Sequence, residues 1–165
     1  MPIVSSVPYQ PLLDGRQSDR AMLVRRGVQR LMMAQALSVL PEMPLSSGRR
    51  ADLVCLSAKG EVSIVEIKTS IADFRVDRKW PDYRLHCDQL FFATHPDVPL
   101  DIFPQDCGLI LSDGYGAEIL RDAPLHRAIA FIEANAGRPL TVAEMASAAA
   151  VSERTLVRLC LLYTS

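Results

Sequence analysis

Residues 50–68 read RADLVCLSAKGEVSIVEIK, two apolar runs of strand length separated by Ala58-Lys-Gly60. A three-residue loop with glycine at the left-handed position is typical of a β-hairpin. The strands are therefore predicted at Arg50–Ser57 and Glu61–Lys68. Because each run is rich in Val, Ile and Leu, the hairpin is expected to lie in the core of the fold.

The register of this hairpin brings three charged residues together. If residues 58–60 form the loop, Ser57 pairs with Glu61, and counting outward sets Asp52 opposite Glu66. Residues directly opposite each other on an antiparallel pair have Cβ atoms about 5 Å apart. Lys68 lies two positions beyond Glu66, so it projects from the same face of the sheet. A register slip of one residue would send Asp52 to the other face.

Two carboxylates and an ammonium in this arrangement have a chemical use. Carboxylates in desolvated surroundings repel each other unless a hard cation such as Mg²⁺ (or Mn²⁺) sits between them. Such a metal lowers the pKa of a bound water and neutralises charge on a phosphate, and a lysine stabilises developing negative charge. Metal-assisted phosphodiester hydrolysis by Asp52, Glu66 and Lys68 is the predicted reaction. The alternative is a solvated salt bridge at a strand end, which the apolar neighbours of the three residues disfavour.

The rest of the first 123 residues predicts helices and strands around the hairpin. A helix is predicted from Ser18 to about Leu37, with Val24, Val28 and Leu31 on its apolar face. A second helix is predicted to open at Ser70 and to break at Pro81. Strands are predicted at about Gln89–Ala93, Gly108–Ser112 and Ala117–Arg121. Residues 1–17 are expected to form an irregular arm, and a turn is expected around Pro41–Gly48. The order indicates an α/β fold, a mixed sheet flanked by helices.

Composition limits the class of protein. The chain has 165 residues, of which 49% are hydrophobic, and a net charge of -1. These values fit one domain, or one domain and a fragment, and argue neither for nor against a nucleic-acid partner. The four cysteines are far apart in the sequence, which predicts reduced core residues rather than a zinc site. Without a bilayer-spanning apolar run or a cleavable signal, the expectation is a cytoplasmic protein with no membrane partner, and its oligomeric state is open.

Several stretches carry a resemblance to a known family. They are Gly48-Arg-Arg-Ala-Asp-Leu, Val65-Glu-Ile-Lys-Thr-Ser, Asp73-Phe-Arg-Val-Asp-Arg-Lys-Trp-Pro-Asp-Tyr-Arg84 and Cys87-Asp-Gln-Leu-Phe-Phe-Ala, continued by Gly108-Leu-Ile and Tyr115-Gly-Ala-Glu-Ile-Leu-Arg121. Over about residues 18–122 the chain resembles the MmcB family of bacterial DNA-repair proteins, and its D…ExK hairpin resembles the PD-(D/E)xK nuclease superfamily. The resemblance implies DNA repair and a restriction-endonuclease-like fold.

The same resemblance assigns residues. It implies metal ligands at Asp52 and Glu66 and an active-site lysine at Lys68. Ala51 stands where the superfamily usually has proline, a common departure. Glu42 matches an acid seen just before the hairpin, which implies an accessory ligand.

Cations near these motifs are candidate DNA contacts. They are Arg49 and Arg50 before the aspartate, and Arg75, Arg78, Lys79 and Arg84 after the lysine. Phosphate contacts with interleaved aromatic residues would suit DNA. A merely solvated basic face is an equal alternative, because such faces are common. Trp80 is expected in the core, and the three histidines show no spacing that suggests ligands.

The sequence changes in character after Pro124. Residues 125–159 resemble the opening of an AraC/XylS-type DNA-binding domain, with three predicted helices, a capping box at Thr141-Val-Ala-Glu144 and a cap at Ser152. In a helix-turn-helix the second helix enters the major groove. That geometry makes Arg154, Thr155 and Arg158 candidate DNA contacts.

The predicted boundary divides the chain into a nuclease-like repair domain, residues 1–123, and a partial helix-turn-helix segment, residues 124–165. The family's second motif is missing, and the last six residues depart from its pattern, so a truncated or chimeric end that does not recognise bases is expected. Three functions stay open: a metal-dependent DNA nuclease, an AraC-type transcription regulator, and a relative that has lost cleavage.

Overall fold

The computed structural model describes residues 18–163, so the predicted arm at residues 1–17 lies outside the described part. The helices are α1 (Asp19–Ala34), α2 (Ile71–Val76), α3 (Pro124–Ala134), α4 (Val142–Ala148) and α5 (Glu153–Tyr163), and the strands are β1 (Ser38–Pro44), β2 (Arg50–Leu56), β3 (Val62–Ile67), β4 (Gln89–Thr94), β5 (Gly108–Ser112) and β6 (Ala117–Arg121). Two short 3₁₀ helices lie at Trp80–His86 and Leu100–Ile102.

The six strands form one sheet in the order β1-β2-β3-β4-β5-β6. The β1–β2, β2–β3 and β5–β6 pairs are antiparallel, and the β3–β4 and β4–β5 pairs are parallel. A parallel pair needs a crossover, which α2 and the first 3₁₀ helix supply between β3 and β4. The predicted mixed α/β sheet is confirmed.

Each face of the sheet carries its own core. On one face α1 packs Val24, Val28 and Met32 against strand residues that include Leu53 and Ile110. The other face holds an aromatic cluster of Phe74, Trp80, Phe92 and Phe103, joined by Tyr83 and by aliphatic residues of β3 to β5. Trp80, which was expected in the core, is half-buried and packs against this cluster.

The predicted hairpin is confirmed. The backbone N–H of Ser57 donates to the carbonyl of Glu61 at 3.0 Å, and Gly60 has a φ of 87°. Ser57 Oγ also accepts the backbone N–H groups of Lys59 and Glu61, which closes the loop with a local side-chain contact. Left-handed backbone at this position is the reason that glycine suits the loop.

The turn expected around Pro41–Gly48 is wrong in its first half. Ser38–Pro44 is a strand, β1, at the edge of the sheet, and only residues 45–48 turn back towards β2. Proline disfavours a central strand, but an edge strand tolerates it because one side of its backbone has no neighbour to bond. The first helix, capped by Ser18 as predicted, ends at Ala34 instead of about Leu37, because β1 begins at Ser38.

The three helices after residue 123 form as predicted. The capping box of Thr141 and Glu144 is present, and the backbone N–H of Thr155 donates to Ser152 Oγ at 3.1 Å. A small cluster of Ala128, Ala146, Ala149 and Leu156 lies between the helices. Arg127 links the segment to the sheet domain by donating to the carbonyls of Asp122 and Ala149. The segment therefore has a core of its own, and it is a small one.

Burial of the cysteines follows the expectation only in part. Cys55 and Cys107 are buried, and burial raises the pKa of the Cys55 thiol to about 11. Cys87 is half-buried, whereas Cys160 is exposed, so its assignment to the core is wrong. Cys160 lies on α5, in the small C-terminal segment, where fewer residues are available to cover it. Within residues 18–163, no helix combines the length and the apolarity that a bilayer crossing requires.

Candidate functional site

The hairpin register places the two predicted acids opposite each other. Leu53 pairs with Val65, so the next step outward sets Asp52 against Glu66. The backbone N–H of Asp52 donates to Glu66 Oε1 at 3.2 Å, and the backbone N–H of Ile67 donates to Asp52 Oδ2 at 2.8 Å. Each carboxylate thus accepts a bond from the strand that carries the other, which fixes both side chains.

Lys68 follows β3 directly and is held by β4. Its backbone N–H donates to the carbonyl of Ala93 at 2.9 Å, and the hydroxyl of Thr94 donates to the Lys68 carbonyl at 2.7 Å. Its ammonium Nζ lies 3.8 Å from Glu66 Oε2 and 2.7 Å from Asp77 Oδ2. The shortest contact of the lysine is therefore with Asp77 at the end of α2.

These side chains meet in one cavity of about 450 Å³. It lies where the ends of β2 and β3 meet the start of α1 and the α2 segment. The cavity is lined by Ser18, Ala21, Arg50, Asp52, Glu66, Ile67, Lys68, Thr69, Asp73, Asp77 and Tyr83. The structure thus brings Asp52, Glu66 and Lys68 into one pocket, as the hairpin count predicted, and their chemical role stays a prediction.

Burial disfavours the charged forms of both Asp52 and Glu66. Glu66 is 3% exposed, and burial together with the charge of Asp52 raises the pKa of Glu66 to about 9. Burial also raises the pKa of Asp52, even though the Ile67 N–H and Lys68 favour its charged form. Both carboxylates would lose their charge readily unless a cation came between them.

Lys68 and Asp77 behave as an ion pair. Burial lowers the pKa of Lys68, but the hydrogen bond to Asp77 and the nearby carboxylates outweigh it, so the pKa stands above its ordinary value. Burial raises the pKa of Asp77, yet Lys68 outweighs that effect and the pKa is lowered overall. The charge of Lys68 is therefore matched mainly by Asp77, which leaves Asp52 and Glu66 without a full counter-charge of their own.

This donor set fits a hard divalent cation in its chemistry. Asp52 and Glu66 supply carboxylate oxygens on facing strands, and such oxygens are the preferred ligands of Mg²⁺. Across residues 18–163, no cluster of three or more His, Cys, Asp or Glu side chains is arranged to hold a metal ion. A bound Mg²⁺ would take two protein ligands here and keep several waters, which is its usual habit in phosphate chemistry.

Glu42, the implied accessory ligand, is held by arginines. It accepts from Arg25 at 3.3 Å and from Arg50 at 2.8 Å. It does not line the cavity, although its charge contributes to raising the pKa of Asp52. Glu42 thus positions Arg50, which does line the cavity.

The candidate DNA contacts divide into engaged and exposed cations. Arg49 pairs with Asp82 at 2.6 Å. Arg84 pairs with Asp106 at 2.9 Å, and its guanidinium lies over the Trp80 ring. Arg75, Arg78 and Lys79 have exposed side chains on the segment that walls the cavity. These three remain candidates for phosphate contacts, together with Arg50, which lines the cavity, whereas Arg84 is occupied in packing.

The C-terminal candidates lie away from the cavity. Arg154 is exposed, Thr155 is half-buried near the start of α5, and Arg158 reaches Asp106 at 3.1 Å. None of the three is among the residues that line the cavity. The three predicted contacts on α5 therefore form no part of the carboxylate–lysine site.

Sequence reasoning missed Asp77. Its position is set by the length of α2, which Ser70 caps at one end and which stops after only six residues. The cap was visible in the sequence, but the end of the helix was placed at Pro81. Because α2 stops at Val76, Asp77 lies outside the helix and lines the cavity.

Comparison with known proteins identifies the family. The family model for MmcB-like DNA repair proteins matches residues 8–158. The chain belongs to the MmcB-like family, and this membership supports a role in DNA repair with DNA as partner. The match continues through α3 and α4 and well into α5, and it does not favour the transcription-regulator alternative.

A solved structure supports the fold. The SPO1766 protein of unknown function from Silicibacter pomeroyi is 37% identical, with a TM-score of 0.61, over 66% of this chain and 74% of that chain. No curated protein matches this chain.

Proposed function

We propose that this DNA-repair protein hydrolyses DNA phosphodiesters with a divalent metal at Asp52 and Glu66. The observation that carries the proposal is the pair of facing carboxylates, with Lys68 in the same cavity. Two buried acids whose negative charge is not matched by the nearby lysine favour a cation between them. The proposal includes a restriction-endonuclease-like fold, which the D…ExK hairpin within a mixed sheet supports.

The metal would be Mg²⁺ or Mn²⁺, held by Asp52 and Glu66. Such an ion supplies an activated water and neutralises charge on the scissile phosphate. The chain itself supplies fixed carboxylates, because each accepts a backbone bond from the opposite strand. A fixed ligand needs no rearrangement when the phosphate becomes more negative, and this preorganisation stabilises the transition state.

Lys68 has the complementary role in the proposed reaction. Its ammonium carries three N–H donors, and the contact with Asp77 occupies one of them. The remaining donors can point to a phosphate oxygen or to the attacking water in the cavity. Lys68 thus stabilises negative charge that develops on the phosphate, while Arg50 on the cavity wall holds the DNA backbone.

A plasmid-nicking assay tests the proposal. The full chain is expected to nick supercoiled DNA with Mg²⁺ or Mn²⁺ and to stop when EDTA is added. Glu61→Gln is the matched control, because Glu61 is an exposed carboxylate at the loop end of the same hairpin. Cleavage that continues without a metal would contradict the proposed role of Asp52 and Glu66 as metal ligands. No cleavage of duplex, mismatched or single-stranded DNA would favour the alternative of a relative that has lost cleavage.

Metal binding can be measured without DNA. We expect Mg²⁺ to raise the melting temperature of the wild-type protein by a few degrees, since a ligand at ten times its Kd adds about 1.4 kcal/mol to stability. Glu66→Gln is expected to melt at the same or a higher temperature without metal, because it removes a buried acid beside Asp52. The variant should show no Mg²⁺ shift, whereas Glu61→Gln should keep it. A full Mg²⁺ shift in Glu66→Gln would exclude this carboxylate as a ligand.

We also propose that the C-terminal segment, residues 124–165, is a separate unit without sequence-specific DNA binding. Its cluster is small, and two arginines link it to the sheet domain. Arg127 donates to the Asp122 carbonyl, and Arg158 forms a surface salt bridge with Asp106, which contributes less than about 1 kcal/mol. A protein ending at Ala123 is therefore expected to melt within a few degrees of the full chain. Enrichment of one DNA motif from a randomised duplex pool by the full chain alone would contradict the proposal, as would a large fall in melting temperature.

A further inference from the structure

Asp77 has a defined partner for each carboxylate oxygen. Its Oδ2 lies 2.7 Å from Lys68 Nζ, and its Oδ1 accepts the backbone N–H of Lys79 at 3.0 Å. The side chain of Asp77 is 20% exposed and that of Lys68 is 8% exposed, so the contact is largely shielded from solvent. A carboxylate anchored to the backbone on one side presents a fixed acceptor on the other.

The chain between the two residues forms a short closed unit. Ser70 caps α2 by accepting the backbone N–H of Asp73 at 3.0 Å, and α2 ends after Val76. Phe74 of α2 packs edge-on against Phe92 of β4, with ring centroids 5.4 Å apart. The helix is thereby fixed on the sheet. Asp77, the residue after it, lines the same cavity as Lys68, which follows β3.

Glu66 cannot provide the same hold on the lysine. Its nearer oxygen lies 3.8 Å from Lys68 Nζ, beyond the range of a hydrogen bond. The direction of the ammonium is therefore set by Asp77. A lysine on a flexible four-carbon stem would otherwise sample several directions within a cavity of about 450 Å³.

We propose that Asp77 is a positioning residue for the hydrolysis, one that directs the Lys68 ammonium towards the reacting phosphate. The inference rests on the proposed function of the cavity. Asp77 acts through Lys68 and touches neither metal nor DNA in this scheme. Residues that orient a group at a site typically contribute about 10- to 100-fold to activity.

Cleavage kinetics test this role. Asp77→Asn is expected to lower kcat about 10- to 100-fold with little change in KM for DNA, and Asp77→Glu should recover part of the loss. In a Lys68→Met background, Asp77→Asn should cause no further loss, because its partner is already absent. An unchanged kcat, or an equal further loss in the double variant, would overturn the proposal, since a merely structural role would be additive.

A second measurement separates this inference from the proposed function. The sequence holds three lysines, and Lys59 and Lys79 are exposed, so ¹⁵N-lysine labelling reports on few ammonium groups. We expect one slowly exchanging ammonium signal in the wild-type protein, absent in Lys68→Met and in Asp77→Asn. A signal that persists in folded Asp77→Asn would overturn the inference. A wild-type protein that cleaves no DNA would refute the proposed function, and the ammonium signal would then decide the Asp77–Lys68 contact on its own.

Discussion

Asp52→Asn is expected to reduce metal-dependent DNA cleavage by roughly 10³-fold, the upper range for the loss of one preorganised electrostatic group. The substitution removes a charged ligand but keeps the shape of the side chain. Its amide oxygen can still accept the backbone N–H of Ile67, which Asp52 Oδ2 accepts at 2.8 Å. The loss of activity should therefore come without a loss of the fold.

Stability provides the second part of this prediction. Burial raises the pKa of Asp52, and Glu66 is buried beside it, so a neutral side chain relieves repulsion between the two acids. We expect the melting temperature to hold or to rise. Nicking rates and thermal melts of Asp52→Asn should be compared with those of Asp97→Asn, the same chemical change at an exposed loop position. Cleavage at the wild-type rate by a folded Asp52→Asn protein would show that the cavity is not the active site.

Phe92→Ala is expected to destabilise the protein by about 3–5 kcal/mol, the usual cost of truncating a buried phenylalanine. Phe92 is fully buried in β4. The ring centroids of Trp80 and Phe103 lie 5.3 and 5.4 Å from the centroid of the Phe92 ring. The alanine would leave a cavity between the sheet and the segment that lines the pocket of Asp52, Glu66 and Lys68. A loss of this size is a large part of the total stability of an ordinary domain.

Urea denaturation measures this effect. Leu85→Ala is the control, because Leu85 is 70% exposed in the neighbouring 3₁₀ helix, and a change there should cost no more than about 0.5 kcal/mol. A loss of less than about 1 kcal/mol for Phe92→Ala would mean that the aromatic cluster does not hold the α2 segment in place. Mg²⁺ affinity should also fall in Phe92→Ala if the cluster supports the cavity wall.

The hairpin and its charged residues were predictable because their signals are local. A three-residue loop with Gly60 fixes the register, and the register alone sets Asp52 against Glu66. The strands at Gly108–Ser112 and Ala117–Arg121 were placed with their observed bounds, since turn residues separate two apolar runs. Periodicity and turn chemistry act over a few residues, which is the range that a single sequence reveals.

The features that were missed depend on contacts distant in sequence. β1 is a strand because β2 offers it an antiparallel partner. Its two prolines favour a turn when only the local sequence is considered. Asp77 enters the cavity because Phe74 packs on Phe92, eighteen residues further along the chain. The salt bridges of Glu42 with Arg25 and Arg50 likewise join separate elements. Packing of this kind decides where a polar side chain points, and local patterns do not report it.

The prolines of β1 have a consequence for how copies of this protein meet. Pro41 and Pro44 both lie on β1, at the edge of the sheet, and a proline has no backbone N–H to donate. Prolines on an edge strand reduce the number of hydrogen-bond donors that a neighbouring chain could use. Strands added edge to edge are the usual start of β-aggregation, and this rim of the sheet resists such growth.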